Sequence, residues 1–432
     1  MSTDTRQLLP ESLFVALKGE RYDGHEFVAE AARRGASAVL GERTRLPAPL
    51  PDCAVVAVPN SRRALGEWAA WHRRRFDPRV VAVAGSNGKT TVKQLLAAVL
   101  AQRFATLASE ASFNNDIGVP LTLLKLDRAC EAAVLEVGTN HPGELAPLLR
   151  MIAPRVGVLT SLGPEHLEHF GDLDGVIQEE GWLAELLPAE GLLVMPGDDP
   201  ATERVGSRTP ARRVRVGWQA GNDWRVTAAC VDESGTSLQV EAPRPEWSGE
   251  YWLALLGRHQ AVNALLALAV GAELGLTAAE LRRGLAACPQ PPMRLALSDL
   301  HGVRVLDDSY NANVASMQVA LETLRDLADG GRTVAILGDM AELGARGPAA
   351  HAEVARLAAA TGVGHLFAVG RMAGVLAETA RQAGLADARE FADSALAGRA
   401  AKEFLRPGDW VLVKASRAAR LERVVEILKH EA

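Results

Sequence analysis

Cysteine is scarce in this chain of 432 residues: Cys53, Cys130, Cys230 and Cys288 are far apart and form no C-x-x-C pair. A disulfide scaffold is therefore excluded, and reduced thiols in a cytoplasmic protein are expected. Long apolar runs are also missing. The opening Met1-Ser2-Thr3-Asp4-Thr5-Arg6 has no apolar signal core. The most apolar stretch, residues 261–276, is interrupted by Asn263 and Glu273 and is too short to cross a bilayer, so no transmembrane segment is expected. Positive charge is not in excess: the net charge is −6 and the pI about 6.0. That argues against nucleic acid as a partner, which would call for a basic face. No segment is low-complexity, and nothing repeats at a solenoid period.

Against these absences, 48% of the residues are hydrophobic, enough for sizeable cores, and the length predicts two or three domains. The most informative stretch is Val80-Val81-Ala82-Val83-Ala84-Gly85-Ser86-Asn87-Gly88-Lys89-Thr90-Thr91. A β-friendly run enters a glycine loop, and residues 92–100 continue with a helical pattern. Strand, glycine loop and helix start together make a phosphate cradle. Glycines let backbone N–H groups approach phosphate oxygens, and the helix N-terminus adds partial positive charge. Lys89 would reach the β- and γ-phosphates of ATP, and the Thr90 hydroxyl would bind Mg²⁺. The usual earlier glycine is replaced by Val83, so the loop is a shortened variant. The plain alternative is a tight strand-to-helix turn.

Around this loop the chain reads as three blocks. In the first, residues 12–17, 36–40 and 54–58 read as strands, 29–34 as a helix ended by Gly35, and Asn60-Ser61 as the cap of a helix over 62–75. Phe76-Asp77-Pro78 is a junction. The second block alternates strands at 80–84, 132–137, 156–160 and 192–195 with helices, as in a mostly parallel, covered sheet. Residues 214–218, 224–227 and 237–240 read as short antiparallel strands, and a long helix is expected over 259–274. Cys288-Pro289-Gln290-Pro291-Pro292 is a linker. After it, strands at 303–306, 333–337, 366–369 and 410–413 alternate with helices, a doubly wound pattern. The fold expected is α/β with three domains: residues 1–78, a small N-terminal α/β domain; 79–290, a central P-loop domain with a mostly parallel sheet plus short antiparallel strands; and 291–432, a Rossmann-like domain.

Five further stretches are richer in polar side chains than folding requires. Phe113-Asn114-Asn115-Asp116-Ile117-Gly118 is a candidate binding loop or a set of Asx turns. Glu136, at the end of an apolar strand and followed by Gly138-Thr139-Asn140-His141-Pro142-Gly143-Glu144, is well placed for Mg²⁺. Gly163-Pro164-Glu165-His166-Leu167-Glu168-His169 offers His166 to metal or phosphate and leaves His169 to solvent. No cysteine or spaced glutamate completes a zinc set there. Pro292-Met293-Arg294-Leu295 puts a hinge arginine where domain closure would bring it to a γ-phosphate. Asp307-Asp308-Ser309-Tyr310-Asn311-Ala312-Asn313 and Lys414-Ala415-Ser416-Arg417 lie at strand ends that face the ligand crevice of an open sheet.

Together these stretches resemble the Mur ligase family, and within it the MurF type, over nearly the whole chain. Asp4-Thr5-Arg6 with residues 13–25 resembles the family's uridine-nucleotide domain. Residues 85–91 match its ATP loop, and 337–344 (Leu-Gly-Asp-Met-Ala-Glu-Leu-Gly) resemble a further MurF segment. The resemblance implies an ATP-dependent amide ligase that adds D-alanyl-D-alanine to UDP-N-acetylmuramoyl-tripeptide in peptidoglycan synthesis. It also implies that the carboxylate is activated as an acyl phosphate; separately, a monomer is expected.

Site roles follow from the same resemblance. Lys89, Glu136, His166 and Arg294 would be catalytic. Gly85, Ser86, Asn87, Gly88, Lys89, Thr90, Thr91, Asn263, Arg294 and Asp308 would hold ATP. Thr5, Arg6, Asn114, Asn115, Asn140, His141, Tyr310, Asn311, Asn313, Lys414, Ser416 and Arg417 would hold the other substrates. Thr90, Glu136 and His166 would hold Mg²⁺.

The chain departs from the family at Gln260 (usually Asn) and Val314 (usually Pro), and little of it precedes Asp4. It also departs at Glu180, which stands where the family has a lysine, usually carbamylated. A glutamate supplies the same charged group without CO₂, but from a shorter stem. Glu180 is therefore expected as an outer-shell or shifted metal carboxylate, with activity independent of bicarbonate. Two other functions fit the motifs: a folylpolyglutamate-synthase-like ligase, and a nucleotide-binding pseudoligase.

Overall fold

The computed structural model describes residues 1–19, 22–46 and 53–430. Glu20 and Arg21, part of the stretch likened to a uridine-nucleotide domain, lie outside them. Three sheets organise the molecule. The first is small and parallel, with Leu13–Val15, Ala38–Glu42 and Ala54–Val58 side by side in chain order. Helix Ser61–Arg73 follows it, and the Asn60 side chain caps that helix by accepting from the Arg63 N–H.

The central sheet has nine strands. Arg79–Ala84, which carries the glycine loop, lies between Ala132–Glu136 and Val156–Leu159, all parallel. A strand between parallel neighbours is buried on both faces, which is why 80–84 reads as an unbroken apolar run. Beyond Val156–Leu159 come Leu192–Pro196, Arg212–Gly217 and Trp224–Asp232, then Gly235–Glu241 and Gly249–Leu253. Here one expectation is corrected. Arg212–Gly217 pairs parallel to both its neighbours, and antiparallel pairing begins only between Trp224–Asp232 and Gly235–Glu241. The alternation of arginine and valine in Arg212–Gly217 looks like a half-exposed hairpin strand. Helix Pro200–Gly206, however, crosses back over the sheet and returns the chain in the parallel sense. Helices Lys89–Leu100 and Gln260–Glu273 cover one face, with Val92, Leu95, Leu96 and Val99 packed among Ala264, Leu265 and Leu268.

The third sheet runs Ala296–Leu300, Val303–Asp307, Trp410–Lys414, Thr333–Gly338, His365–Val369, Ala388–Phe391. All neighbours are parallel except the first pair, a hairpin. The doubly wound reading holds. The hairpin strand Ala296–Leu300 was not expected, nor were Ala388–Phe391 and helix Ser394–Phe404. The last is started by Asp393, whose carboxylate accepts from the N–H groups of Ala395 and Leu396.

Candidate active site

The glycine loop is shaped by two glycines in left-handed backbone. Gly85 has φ 120°, and a Cβ there would lie 2.6 Å from Thr160 Oγ1; Gly88, φ 86°, opens helix Lys89–Leu100. The loop is fixed by its neighbour after strand Val156–Leu159. The Ser86 N–H donates to the Ser161 carbonyl (2.8 Å), the Asn87 N–H to Ser161 Oγ (2.9 Å), and Ser86 Oγ to the Gly163 carbonyl (3.1 Å). Asn263, on helix Gln260–Glu273, sits beside Gly88 and donates to Gln260 Oε1 at 2.9 Å.

Lys89 is not a solvated loop cation. Its side chain is 15% exposed and folds back to donate to the carbonyls of Gly85 and Ser86, with Glu165 at 3.9 Å. Burial alone would lower its pKa, but the charges of Glu165, Glu180 and Glu136 outweigh it and hold the pKa above the usual lysine value. One turn further on, Lys93 is buried beside Glu136 at 3.3 Å and donates to the Ala111 carbonyl. Burial pulls its pKa down, against the pull of Glu136. Glu136 itself is 1% exposed; its Oε1 accepts from Asn114 Nδ2 (2.9 Å), while Oε2 accepts no hydrogen bond.

The third sheet closes the site from the other side. Arg294 Nη2 donates to Thr90 Oγ1 (3.0 Å), and the guanidinium lies 4.5 Å over the Tyr310 ring. Tyr310 donates to Ser112 Oγ (2.7 Å), and Asn313 Nδ2 to Asn87 Oδ1 (2.9 Å). His166 Nδ1 meets Glu342 Oε2 at 2.5 Å, and that contact holds the Glu342 carboxyl below its usual range. Lys414, at the end of strand Trp410–Lys414, donates to Asp308 Oδ2 (2.5 Å) and to the Asn311 carbonyl (3.0 Å).

These contacts enclose a cleft of about 1480 Å³. It gathers Ser86, Asn87, Gly88, Lys89, Thr90, Thr91, Asn114, Asn115, Glu136, Asn140, His141, His166, Asn263, Arg294, Asp308, Tyr310, Asn311, Asn313 and Lys414 on one surface. Gly85 is buried at the start of the loop.

Five expected residues fall elsewhere. Thr5 is buried in the N-terminal domain, and Arg6 is spent on the Asp4 carboxylate (2.6 Å). Ser416 is buried, accepting from the Ala341 N–H at 2.7 Å, and Arg417 pairs with Glu422 at 3.1 Å. Glu180 is 1% exposed, does not line the cleft, and neither carboxylate oxygen has a hydrogen-bond partner. Its shorter stem, measured against the lysine it was expected to replace, leaves the carboxyl in the wall. Burial pushes its pKa up to about 8, against the pull of Lys89.

Sequence reasoning missed Lys93, Glu165, Glu342 and the pair Arg62 and Arg63, by which helix Ser61–Arg73 reaches the cleft. Lys93 carried a local signal, four residues after Lys89 on the same helix face, and Glu165 and Glu342 lay within the quoted stretches 163–169 and 337–344 without a role assigned to them.

His259, at the start of helix Gln260–Glu273, gives a pH prediction. Burial, with the Lys414 charge beyond it, pushes its pKa down to about 4. An unfolded chain takes up that proton near 6.5. The folded state refuses it, so stability is complete above pH 6.5 and falls as pH drops toward 4, by up to about 3 kcal/mol. Urea melts across that range should show the slope, and His259→Gln should flatten it. An unchanged slope would refute the assignment.

The sequence matches three family descriptions in chain order: "Mur ligase family, catalytic domain" over residues 1–73, "Mur ligase middle domain" over 83–271, and "Mur ligase, glutamate ligase domain" over 293–417. The UDP-N-acetylmuramoyl-tripeptide–D-alanyl-D-alanine ligase of Escherichia coli is 38% identical over 437 residues, covering 99% of this chain and 93% of the relative. Among solved structures, MurF from Acinetobacter baumannii superposes with a TM-score of 0.89 at 28% identity, covering 100% of this chain and 93% of that one. MurF ligase from Thermotoga maritima in complex with ADP gives 0.86 at 27% identity, covering 99% and 96%.

Proposed function

The chain belongs to the Mur ligase family, in its MurF branch, and on that footing we propose that the cleft joins D-alanyl-D-alanine to UDP-N-acetylmuramoyl-tripeptide as ATP is hydrolysed. One observation carries the reading. Side chains that flank the third sheet meet the phosphate loop and the helix it opens, with Arg294 on Thr90 and Asn313 on Asn87, so the phosphate loop and the C-terminal block line one cleft.

The chemistry asks the protein mainly to position anions and neutralise charge. ATP transfers its γ-phosphoryl group to the tripeptide carboxylate, the dipeptide amine attacks the acyl phosphate, and phosphate leaves. Lys89 swings from its carbonyls to the transferring phosphates. Arg294, already at Thr90, would neutralise the γ-phosphate. Asn263 faces adenine, and Asp308 the ribose. Tyr310, Asn311, Asn313 and Lys414 orient the dipeptide, with Ser416 and Arg417 supporting that wall from outside the cleft. Asn114, Asn115, Asn140 and His141 hold the tripeptide end, and the N-terminal residues Thr5 and Arg6 the uridine nucleotide. Residues 1–78, 79–290 and 291–432 divide these tasks.

The oxygen donors fit Mg²⁺: the buried Glu136 carboxylate and the Thr90 hydroxyl line one cleft, with Glu136 Oε2 balanced by the Lys93 ammonium at 3.3 Å. Thr90 and Glu136 would hold the ion, with His166 beside them. Bound there, Mg²⁺ supplies neutralisation of phosphate charge. Among the described residues no helix is long and apolar enough to cross a membrane. The enzyme acts in the cytoplasm as a monomer.

Phosphate release tests the proposal. It should require ATP, UDP-N-acetylmuramoyl-tripeptide and D-alanyl-D-alanine together. Nucleotide binding without release under any of these conditions would favour the pseudoligase. Release driven by a folate and glutamate would favour the folylpolyglutamate-type ligase.

A further inference from the structure

Three carboxylates surround the phosphate-loop lysine, and they are not equivalent. Glu180, at the end of helix Leu173–Glu180, is closed off from the cleft. Glu136 lines the cleft, its Oε2 ion-paired with Lys93 at 3.3 Å. Glu165 is the third, beside His166 in the stretch 163–169, where the sequence assigned it no role. It rides on the loop after strand Val156–Leu159, the same loop whose Ser161 and Gly163 clamp the phosphate loop. Its side chain is 10% exposed, lines the cleft and points its Oε2 at Lys89 from 3.9 Å. Among the described residues no other cation lies within ion-pair distance of it.

That arrangement holds only while Lys89 is turned inward. When Lys89 turns to phosphates, Glu165 loses its counter-charge and faces a polyanion. A carboxylate in that position repels the nucleotide unless a cation lies between them. Glu136, at the end of strand Ala132–Glu136, and Glu165, on the loop after Val156–Leu159, are hard oxygen donors on either side of the strand that carries the phosphate loop, and Mg²⁺ commonly takes one or two carboxylates together with phosphate oxygens and water.

Resting on the ligase reading above, we propose that Glu165, and not Glu180, is the second carboxylate this chain offers to a divalent cation bound with ATP. In the nucleotide-free protein Lys89 holds its place. Glu180 stays in the wall, where it adds negative charge behind Lys89 without touching the ion.

The test uses Mn²⁺ as the probe, counted by electron paramagnetic resonance on the full chain with a non-hydrolysable ATP analogue. Glu165→Gln should raise the Mn²⁺ concentration for half-saturation by about tenfold or more, as Glu136→Gln should, while Glu180→Gln shifts it less than about threefold. Thermal melts establish that each variant is folded. If Glu165→Gln does not fold, Glu165→Asp reads the same quantity with a shorter carboxylate. Unchanged Mn²⁺ binding in Glu165→Gln, with tighter analogue binding in the absence of metal, would make Glu165 a place-holder only and overturn the proposal. So would a larger loss in Glu180→Gln than in Glu165→Gln. Wild-type protein that binds neither analogue nor Mn²⁺ would overturn the ligase reading as well.

Discussion

Lys89→Ala is expected to lower turnover by about 10²–10³-fold or more, some 3–4 kcal/mol of transition-state stabilisation, in a protein that remains folded. The lysine leads helix Lys89–Leu100 from a loop whose backbone is fixed by Ser161 and Gly163, and none of those bonds involves its side chain. Removing it deletes the mobile cation of the cleft and leaves the cradle in place. The cost to the resting protein is the hydrogen bonds to the Gly85 and Ser86 carbonyls and an electrostatic change. Glu165 loses its only ion-pair partner among the described residues, and Glu180 loses the charge that opposes its burial. A protonated Glu180 absorbs much of that cost, so the melting temperature should move by only a few degrees. Steady-state phosphate release and a thermal melt on the same preparation read both halves. Turnover within tenfold of wild type would remove the central claim about the loop.

The second large effect is on stability. Lys414→Met is expected to cost about 3–5 kcal/mol, because it strands a carboxylate in a nearly closed site. The Lys414 ammonium is 3% exposed and bonds Asp308 Oδ2 and the Asn311 carbonyl, while Asp308 Oδ1 accepts from the Leu295 N–H at 3.1 Å. One pair therefore ties the last parallel strand, the loop after Val303–Asp307, and the end of the linker. Burial pushes the Asp308 pKa up and Lys414 pulls it down. Without Lys414 the folded value rises further above the unfolded one. The deficit is then small where the carboxyl is protonated in both states and grows as pH rises through the folded value. Denaturant melts should show a larger loss at pH 8 than at pH 5. Lys414→Met with Asp308→Asn should recover much of it. Equal stability of Lys414→Met and wild type at pH 8 would show that the pair is dispensable.

Much of the fold was legible because it rests on local periodicity. Residues 80–84 form an apolar run that only a doubly covered strand accommodates, and Asn60 announces the helix it caps. Arg212–Gly217 was misjudged because direction is not local: the same alternation suits either sense, and the crossover helix before it decides. The hairpin strand Ala296–Leu300, with serine and aspartate in five residues, gave too weak a pattern to be seen.

By itself the sequence determined the phosphate cradle, the order of sheets and linker, and the strand-end positions of Glu136, Asp308 and Lys414, since glycine placement, capping and apolar periodicity act over a few residues. Only the tertiary structure decided which carboxylates reach the cleft. Glu165 and Glu180 are the same residue type, fifteen positions apart. One stands on a loop clamped to the phosphate loop, and the other ends a helix whose packing closes over it. Burial and reach are set by neighbours distant in the chain, and no local pattern carries them.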